Sequence, residues 1–245
     1  MNYIFVMLIY RVLNFKMAWV RIGRAREGTS VRINVMGYKG GVGKSVTAMH
    51  LGAALGARFG EGTTVVVDAD PNQSLVHWRA ARPADLEPWP FDVVGLGDGG
   101  GWQRYENVVF DSQGRPSDVD LRAAVRGSDL IVVPTTAEGL SMRPLMGFLA
   151  RLRKMNASYR VLLTMVGWWN TQAQERREQL EATGQPVFGP EIRRRQAFDT
   201  ATQTGRLVYE FPNSRAQEAW RSYERVAGEA VEEIVGARRA LVGRG

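Results

Sequence analysis

Short runs of apolar, largely β-branched residues recur along this chain, separated by stretches with helical spacing. A run such as TTVVVD at 63–68 shows no polar alternation, which is typical of a strand buried on both faces. Strands of this kind that alternate with helices predict a mainly parallel, twisted sheet with helices on both faces. The predicted strands are Val31–Met36, Thr63–Asp68, Phe91–Gly95, Asn107–Asp111, Leu130–Pro134, Arg160–Val166 and a short late strand at Leu207–Tyr209. The predicted helices are Lys44–Phe59, Ser74–Ala81, Leu121–Arg126, Leu140–Lys154, Glu175–Ala182 and Ser214–Leu241.

One α/β domain is expected over about residues 31–241, because no internal repeat or linker divides that range. Residues 1–30 form a basic and apolar extension. Its apolar run, Met1–Tyr10, is followed by Arg11 and Lys16 and is shorter than the roughly 20 residues of a spanning helix. Three interpretations stay open: a peripheral membrane anchor, a buried or partner-binding helix, or an extension upstream of a start at Met17. We favour the third.

The amino-acid composition excludes several kinds of catalytic and metal-binding site. The 245 residues include no cysteine and two histidines, which excludes thiolate catalysis, iron–sulfur clusters and cysteine-bound zinc. The net charge is +7, and basic residues are concentrated at the two ends around a mildly acidic middle. Such a distribution suits a polyanion, either nucleic acid or an anionic membrane, and is equally typical of a well-solvated surface.

A glycine-rich turn follows the first predicted strand and opens the first predicted helix. Glycines let a backbone wrap closely around an anion, and the helix N-terminus adds partial positive charge. Lys44 is expected to reach the β- and γ-phosphates of a nucleotide, and the Ser45 hydroxyl to bind Mg²⁺. Tyr38 replaces the usual first glycine of the phosphate-loop motif, and Lys39 supplies a second lysine. The predicted phosphate-binding residues are Lys39, Gly40, Gly41, Val42, Gly43, Lys44 and Ser45.

These features resemble the deviant Walker A ATPases, and among them the ParA-type partition ATPases. The segments that carry the resemblance are KGGVGKS at 39–45, VVVDADPNQS at 65–74, NVVFDSQG at 107–114, SDLIVVPTT at 128–136 and EIRRRQAFDTATQTGRLVYEF at 191–211. The resemblance implies a single-domain P-loop NTPase that binds ATP and Mg²⁺ and forms a sandwich homodimer in the ATP state. It also implies that Lys39 crosses to the partner's phosphates and acts like an arginine finger.

Three carboxylates follow predicted strands. Beside a triphosphate, Asp68 and Asp70 make chemical sense if they serve Mg²⁺ or water, since they would otherwise repel the phosphates. By similarity, Asp70 positions the attacking water, and Asp68 supports the metal shell. Asp111 ends an apolar strand in the Walker B pattern and is expected to hold Mg²⁺ together with Ser45. The predicted catalytic residues are therefore Lys39, Lys44 and Asp70, and Gln113 and Gly114 are expected to begin a switch loop. The alternative is a solvated turn at a strand end for Asp68 and Asp70, and a strand-end cap for Asp111.

The sequence patterns that predict contacts with adenine and with DNA are less specific. In the resembled family the loop after the late strand lies against adenine, which here would place Phe211, Pro212 and Asn213 at the base; an ordinary turn fits equally well. Two basic clusters could contact DNA phosphates or form a solvated face. They are Arg193, Arg194 and Arg195, and Arg151, Arg153 and Lys154. Trp168 and Trp169 are expected to pack rather than to stack on a base.

The sequence thus predicts a cytoplasmic, nucleoid-associated ATPase without an integral membrane segment. ATP binding would drive dimerisation and non-specific DNA binding, and slow hydrolysis to ADP and phosphate, stimulated by a ParB-like adaptor, would reset the cycle. The cargo would be a plasmid, a chromosome or another body. Two alternatives remain: a MinD-like ATPase that cycles on a membrane, and a nucleotide-dependent scaffold that does not hydrolyse ATP. The glutamates of the last helix disfavour anionic lipid there, so residues 1–20 are the better candidate for membrane contact.

Overall fold

The computed structural model describes residues 30–98, 101–137, 142–167 and 171–243, together with the backbone of two short strands nearer the start. Those strands, β1 (Phe5–Met7) and β2 (Trp19–Arg21), form a small antiparallel sheet. The interpretation of residues 1–30 as an extension stays a prediction. Trp168 and Trp169 lie outside the described residues.

Six strands form the central sheet, and every neighbouring pair in it is parallel. The strands are β3 (Val31–Gly37), β4 (Thr64–Asp68), β5 (Asp92–Gly95), β6 (Asn107–Gly114), β7 (Leu130–Thr136) and β8 (Tyr159–Thr164). Their order across the sheet is β5-β4-β6-β3-β7-β8. The predicted parallel α/β fold is therefore confirmed. Because β4, β6 and β3 are adjacent, the residues that follow these strands meet at one edge of the sheet.

Helices cover both faces of the sheet, as predicted. They are α1 (Lys44–Phe59), α2 (Ser74–Ala80), α3 (Asp118–Gly127), α4 (Arg143–Lys154), α5 (Thr171–Ala182), α6 (Gln196–Gln203) and α7 (Ser214–Val242). The apolar sides of α1, α2, α6 and α7 share one buried cluster with Val132 of β7. Those of α3, α4 and α5 share a second cluster with Ile131 and Val133. Since alternate strand residues point to opposite faces, the two clusters lie on opposite sides of the sheet. Among the described helices, none is long and apolar enough to cross a bilayer.

The prediction of a late strand at Leu207–Tyr209 is wrong. Val208–Glu210 forms a 3-10 turn, and the Glu210 carboxylate accepts the Leu207 backbone N–H at 2.6 Å. A local side chain thus satisfies a donor that a strand would give to its neighbour. The short helix α6, just before this turn, was not predicted.

The last strand ends earlier than predicted, at Thr164 instead of Val166. Met165 has a φ of 53°, in the left-handed region, which breaks the extended backbone. Val161, within β8, forms an isolated parallel bridge with Val187, and Val166, beyond Met165, forms another with Arg193. The segment 186–194 therefore continues the sheet irregularly beside β8.

His50 joins α1 to the 3-10 turn. Its Nδ1 lies 2.7 Å from the Val46 carbonyl oxygen, and its Nε2 accepts the Val208 backbone N–H at 3.2 Å. The ring also stacks on Tyr223 of α7 at a centroid distance of 4.9 Å. An accepting Nε2 requires the neutral tautomer with its proton on Nδ1. Burial lowers the pKa of His50 to about 4, which keeps the ring neutral at physiological pH.

Because the pKa of His50 is lower in the folded chain than the unfolded value of 6.5, its neutral form stabilises the fold fully above pH 6.5. That stability is lost as the pH falls from 6.5 towards 4. Between pH 7.5 and pH 5.0, His50 is expected to account for a loss of about 2 kcal/mol in the free energy of unfolding. Urea unfolding of the wild type and of His50→Gln at the two pH values measures this change in the free energy of unfolding. Equal pH dependence in the two proteins would contradict the assignment.

Candidate nucleotide-binding site

The turn between β3 and α1 has the backbone of a phosphate-binding loop. Gly41 and Gly43 have φ angles of 70° and 79°, in the region where any other residue would be strained. Gly43 is also the N-cap of α1, so the first N–H groups of that helix open onto the loop without intrahelical acceptors. Lys44, the first residue of α1, is mostly buried behind them. The loop therefore presents N–H donors and one ammonium to an anion.

The ends of three strands hold this loop in place. Tyr38 and Thr135 share a hydrogen bond of 3.1 Å between their hydroxyls. The Thr164 hydroxyl lies 2.9 Å from the Val42 carbonyl oxygen. Gly114, at the end of β6, lies so close that a Cβ there would be 3.0 Å from the Lys39 carbonyl carbon. Sequence reasoning missed Thr135 and Thr164. The available signal was weak: a hydroxyl residue at the end of a buried strand.

Lys39 is held beside β7 within a single chain. Its Nζ donates to the Thr136 hydroxyl at 3.4 Å and lies 5.5 Å from the centre of the Tyr38 ring. Both contacts engage the ammonium at the edge of the loop. The role of Lys39 on a partner's phosphates stays a prediction.

Asp111 lies fully buried near Ser45 and Lys44. Within the described part of the chain, neither of its carboxylate oxygens has a hydrogen-bond partner of good geometry. Burial raises the pKa of Asp111 to about 7; the Ser45 hydroxyl and the Lys44 ammonium oppose this rise, while Asp68 adds to it. A buried, unpartnered carboxylate is costly, and a hard cation would remove the cost. The oxygen donors of Asp111 and Ser45 therefore fit Mg²⁺.

Asp68 pairs in register with Asp111 across β4 and β6, so the structure brings the two predicted metal residues side by side. Both Asp68 oxygens are already engaged. One accepts the Leu75 and Val76 backbone N–H groups at 2.8 and 3.2 Å, and the other accepts the Asp70 N–H at 3.2 Å. Asp68 thus fixes the start of α2 and the turn before it, a role the sequence did not reveal. Its part in a metal shell stays a prediction.

Asp70 lies in the turn that Asp68 shapes, and it is partly exposed. One of its oxygens accepts the backbone N–H of Asn72 at 3.0 Å and the side-chain amide of Asn72 at 2.9 Å. Asn72 therefore helps to orient the Asp70 carboxylate. The water-positioning role of Asp70 stays a prediction.

Gln113 and Gly114 do not begin a loop. They are the last two residues of β6, which extends past Asp111 because its end pairs with β3 as far as Gly37. The Gln113 side chain donates to Asp120 of α3 at 3.2 Å. The predicted switch residues are thus held between the sheet and a helix.

The predicted adenine contacts lie where the 3-10 turn leads into α7. The Asn213 side chain accepts the Ala216 backbone N–H at 2.9 Å, so Asn213 is the N-cap of α7. Pro212 is exposed, and the Phe211 carbonyl accepts a hydrogen bond from Gln217 at 3.0 Å. The turn is well fixed, and its contact with a base stays a prediction.

The three arginines predicted to bind DNA differ in their surroundings. Arg195 is 9% exposed and forms an ion pair of 2.9 Å with Glu218. Arg193 is 38% exposed and lies 3.8 Å from Glu191. Arg194 is exposed. The cluster is therefore not a uniform cationic face, and Arg194 is the member best placed to meet a phosphate.

Comparison with known proteins agrees with this architecture. The sequence model described as the CobQ/CobB/MinD/ParA nucleotide binding domain matches residues 33–208. Maintenance of carboxysome distribution protein A of Gloeobacter kilaueensis is 34% identical over 205 residues, covering 80% of this chain and 92% of the relative. Chromosome-partitioning ATPase Soj of Thermus thermophilus is 27% identical, with 83% and 96% covered.

Solved structures show the same fold at low sequence identity. A McdA variant from Cyanothece in complex with ATP has a TM-score of 0.64 at 16% identity, covering 85% of this chain and 98% of that one. A plasmid partition protein from Borrelia burgdorferi bound to AMPPNP has a TM-score of 0.61 at 18% identity, covering 85% and 99%. The family match spans most of the chain and includes the glycine loop, Asp68 and Asp111. This chain belongs to the CobQ/CobB/MinD/ParA nucleotide-binding domain family.

Proposed function

We propose that this chain is an ATPase that positions a cargo by cycling between an ATP-bound dimer on DNA and a released ADP state. The strongest support is Asp111, a buried carboxylate beside Ser45 and Lys44 whose two oxygens have no hydrogen-bond partner of good geometry among the described residues. Burying such a carboxylate destabilises the fold unless a cation binds it. A nucleotide held by the adjoining loop would bring that cation.

The chemistry divides among a few residues. Lys44 and the N–H groups at the start of α1 bind the phosphates of ATP. Mg²⁺, held by Ser45 and Asp111, would neutralise charge on the β- and γ-phosphates. Asp70 orients the attacking water. Lys39 of one subunit stabilises the negative charge on the γ-phosphoryl group that is transferred to water in its partner.

The relatives support the positioning role. One is named for distributing carboxysomes and another for partitioning chromosomes, so the shared activity would be movement of a body. The cargo here would be DNA or another large assembly, and a ParB-like adaptor would stimulate hydrolysis. Binding to DNA of any sequence would place the ATP-bound protein on the nucleoid.

Co-sedimentation tests the proposal. The protein is mixed with double-stranded DNA of arbitrary sequence, or with vesicles of phosphatidylglycerol and phosphatidylethanolamine, in the presence of ATP, ADP or no nucleotide. We expect sedimentation with DNA in ATP alone, and release of phosphate over time. Sedimentation with the vesicles instead would contradict DNA binding and favour the MinD-like alternative. Nucleotide binding without any phosphate release would contradict the ATPase.

Asp70→Ala is expected to bind ATP normally and to lose about 10²- to 10⁴-fold in hydrolysis, because the attacking water is no longer oriented. The variant should then accumulate as a DNA-bound dimer. Phosphate release and DNA co-sedimentation measure the two effects, and Asp199→Ala, at an exposed aspartate of α6, is the matched control. Normal turnover in Asp70→Ala would show that another residue positions the attacking water.

Arg194→Glu is expected to weaken DNA binding without changing ATP affinity. If Arg194 contacts a phosphate, the slope of log affinity against log salt should flatten by about 0.9 per contact, and twice that in a dimer. Arg126→Glu, at an exposed arginine of α3, makes the same charge change elsewhere. Equal salt slopes for the two variants would show that residue 194 acts only through net charge.

A further inference from the structure

Thr164 is a buried hydroxyl residue that serves the phosphate loop. It is the last residue of β8, is 2% exposed, and is separated by 122 positions from Val42. Its hydroxyl lies 2.9 Å from the Val42 carbonyl oxygen and 3.1 Å from the Thr135 carbonyl oxygen. One hydroxyl hydrogen is thus shared between an acceptor in the loop and an acceptor at the end of the adjacent strand.

The peptide that Thr164 contacts links Val42 to Gly43. In a trans peptide the carbonyl and the N–H lie in one plane and point in opposite directions. A carbonyl fixed towards Thr164 therefore turns the Gly43 N–H away from β8. Gly43 is the N-cap of α1, so this N–H stands with the helix-start donors that have no intrahelical acceptor.

An external contact is needed because the loop does not fix this peptide itself. The peptide turns over by changes in ψ of Val42 and φ of Gly43, and glycine adopts positive and negative φ with similar ease. If the peptide turned over, the Val42 carbonyl would take the place of the Gly43 N–H and would repel an anion. The hydroxyl of Thr164 opposes that rotation.

Met165, the residue after Thr164, lies beside the same peptide. Its φ of 53° is unusual for a residue with a long side chain, and such a conformation persists only where the surroundings enforce it. Its Cε lies 3.8 Å from the point that a Gly43 Cβ would occupy. The end of β8 thus bonds to Val42 through Thr164 and lies beside Gly43 through Met165.

We propose that Thr164 is a positioning residue for nucleotide binding, because its hydroxyl pins the peptide between Val42 and Gly43 with the N–H turned towards the bound phosphates. The ligand class is nucleotides that carry a β-phosphate, so ADP and ATP depend on Thr164 alike. This inference rests on the proposed nucleotide-binding function and assigns part of it to β8.

Thr164→Val removes the hydroxyl and keeps the shape of the side chain. Affinity for ADP and for ATP is expected to fall about 3- to 10-fold, the effect of one net hydrogen bond. Hydrolysis in a single turnover of the saturated complex should stay within about twofold of the wild type. Thr164→Ser restores the hydroxyl and should recover the affinity.

Thr47→Val is the matched control. Thr47 is also fully buried, and its hydroxyl bonds to the Tyr223 hydroxyl at 3.1 Å, on the side of α1 that packs against α7. Its loss should lower the melting temperature and leave nucleotide affinity unchanged, which separates general destabilisation from a specific effect on the loop.

Two results would overturn the proposal: normal ADP affinity in folded Thr164→Val, or no recovery in Thr164→Ser. If the valine variant does not fold, NMR of the wild type still tests whether the Gly43 N–H faces the phosphates. The Gly43 amide proton should then shift strongly downfield when ADP is added. An unshifted Gly43 amide in a protein that binds ADP would reject the role of Thr164. A wild type that binds neither ADP nor ATP would instead reject the proposed function itself.

Discussion

Lys39→Ala is expected to lower ATP turnover by about 10³- to 10⁵-fold at protein concentrations where dimers form, as when a transition-state cation is removed from other phosphoryl-transfer enzymes. ATP binding by the single chain should persist, because Lys44 and the start of α1 are intact. Within one chain the Lys39 ammonium contacts Thr136 and the Tyr38 ring. Phosphate release at several protein concentrations measures the loss.

A mixing experiment separates action in trans from action in cis. Lys39→Ala and Asp70→Ala are each expected to be inactive alone. In a mixed dimer, the site with an intact Asp70 receives Lys39 from the other subunit, so turnover should reappear when the two variants are combined. Lys154→Ala, at an exposed lysine of α4, controls for the loss of a positive charge. Two inactive variants that stay inactive together would argue that Lys39 acts within its own chain.

Lys44→Ala is expected to remove the main positive charge from the phosphate site. Truncating one partner of a buried charge pair costs about 2–5 kcal/mol, which corresponds to a rise of about 30- to 5,000-fold in the Kd for ATP. A fluorescent-nucleotide titration measures this change. At the same ATP concentration, the melting temperature of the wild type should rise more than that of the variant, because the stability gained from a ligand falls as its Kd rises.

Lys154→Ala serves again as the control for this variant. Near-normal ATP affinity in Lys44→Ala would contradict the assignment of the glycine loop to phosphate binding. Loss of ATP binding in both variants would point to net charge instead of a specific contact.

The sequence predicted the features that depend on neighbouring residues. Buried parallel strands appear as continuous apolar runs, and the loop at 39–45 carries its own glycines, so the sheet, α1 and the position of Asp111 followed from local patterns. The sequence predicts a strand at Leu207–Tyr209 because its apolar residues fit both a strand and the 3-10 turn that forms at Val208–Glu210. The contacts that distinguish them are made by side chains, since Glu210 accepts the Leu207 N–H and His50 accepts the Val208 N–H.

Contacts between distant residues were beyond the reach of local patterns. Nothing near Thr164 in the sequence reveals that it meets Val42, since that contact depends on how β7 and β8 align beside β3. Likewise, three consecutive arginines cannot be told apart in the sequence, yet the Arg195 side chain is 9% exposed and paired with Glu218, whereas Arg194 is exposed. Burial and pairing of polar groups arise from tertiary packing.

The order of the strands has a consequence for how the protein is made. The glycine loop leaves the ribosome early, but β3 lies between β6 and β7, and Thr164 of β8 is the last strand residue to reach the loop. A nascent chain that ends before residue 164 carries the motif without the completed site. Because a ligand stabilises only the state that binds it, nucleotide in the cell would favour finished chains over incomplete ones.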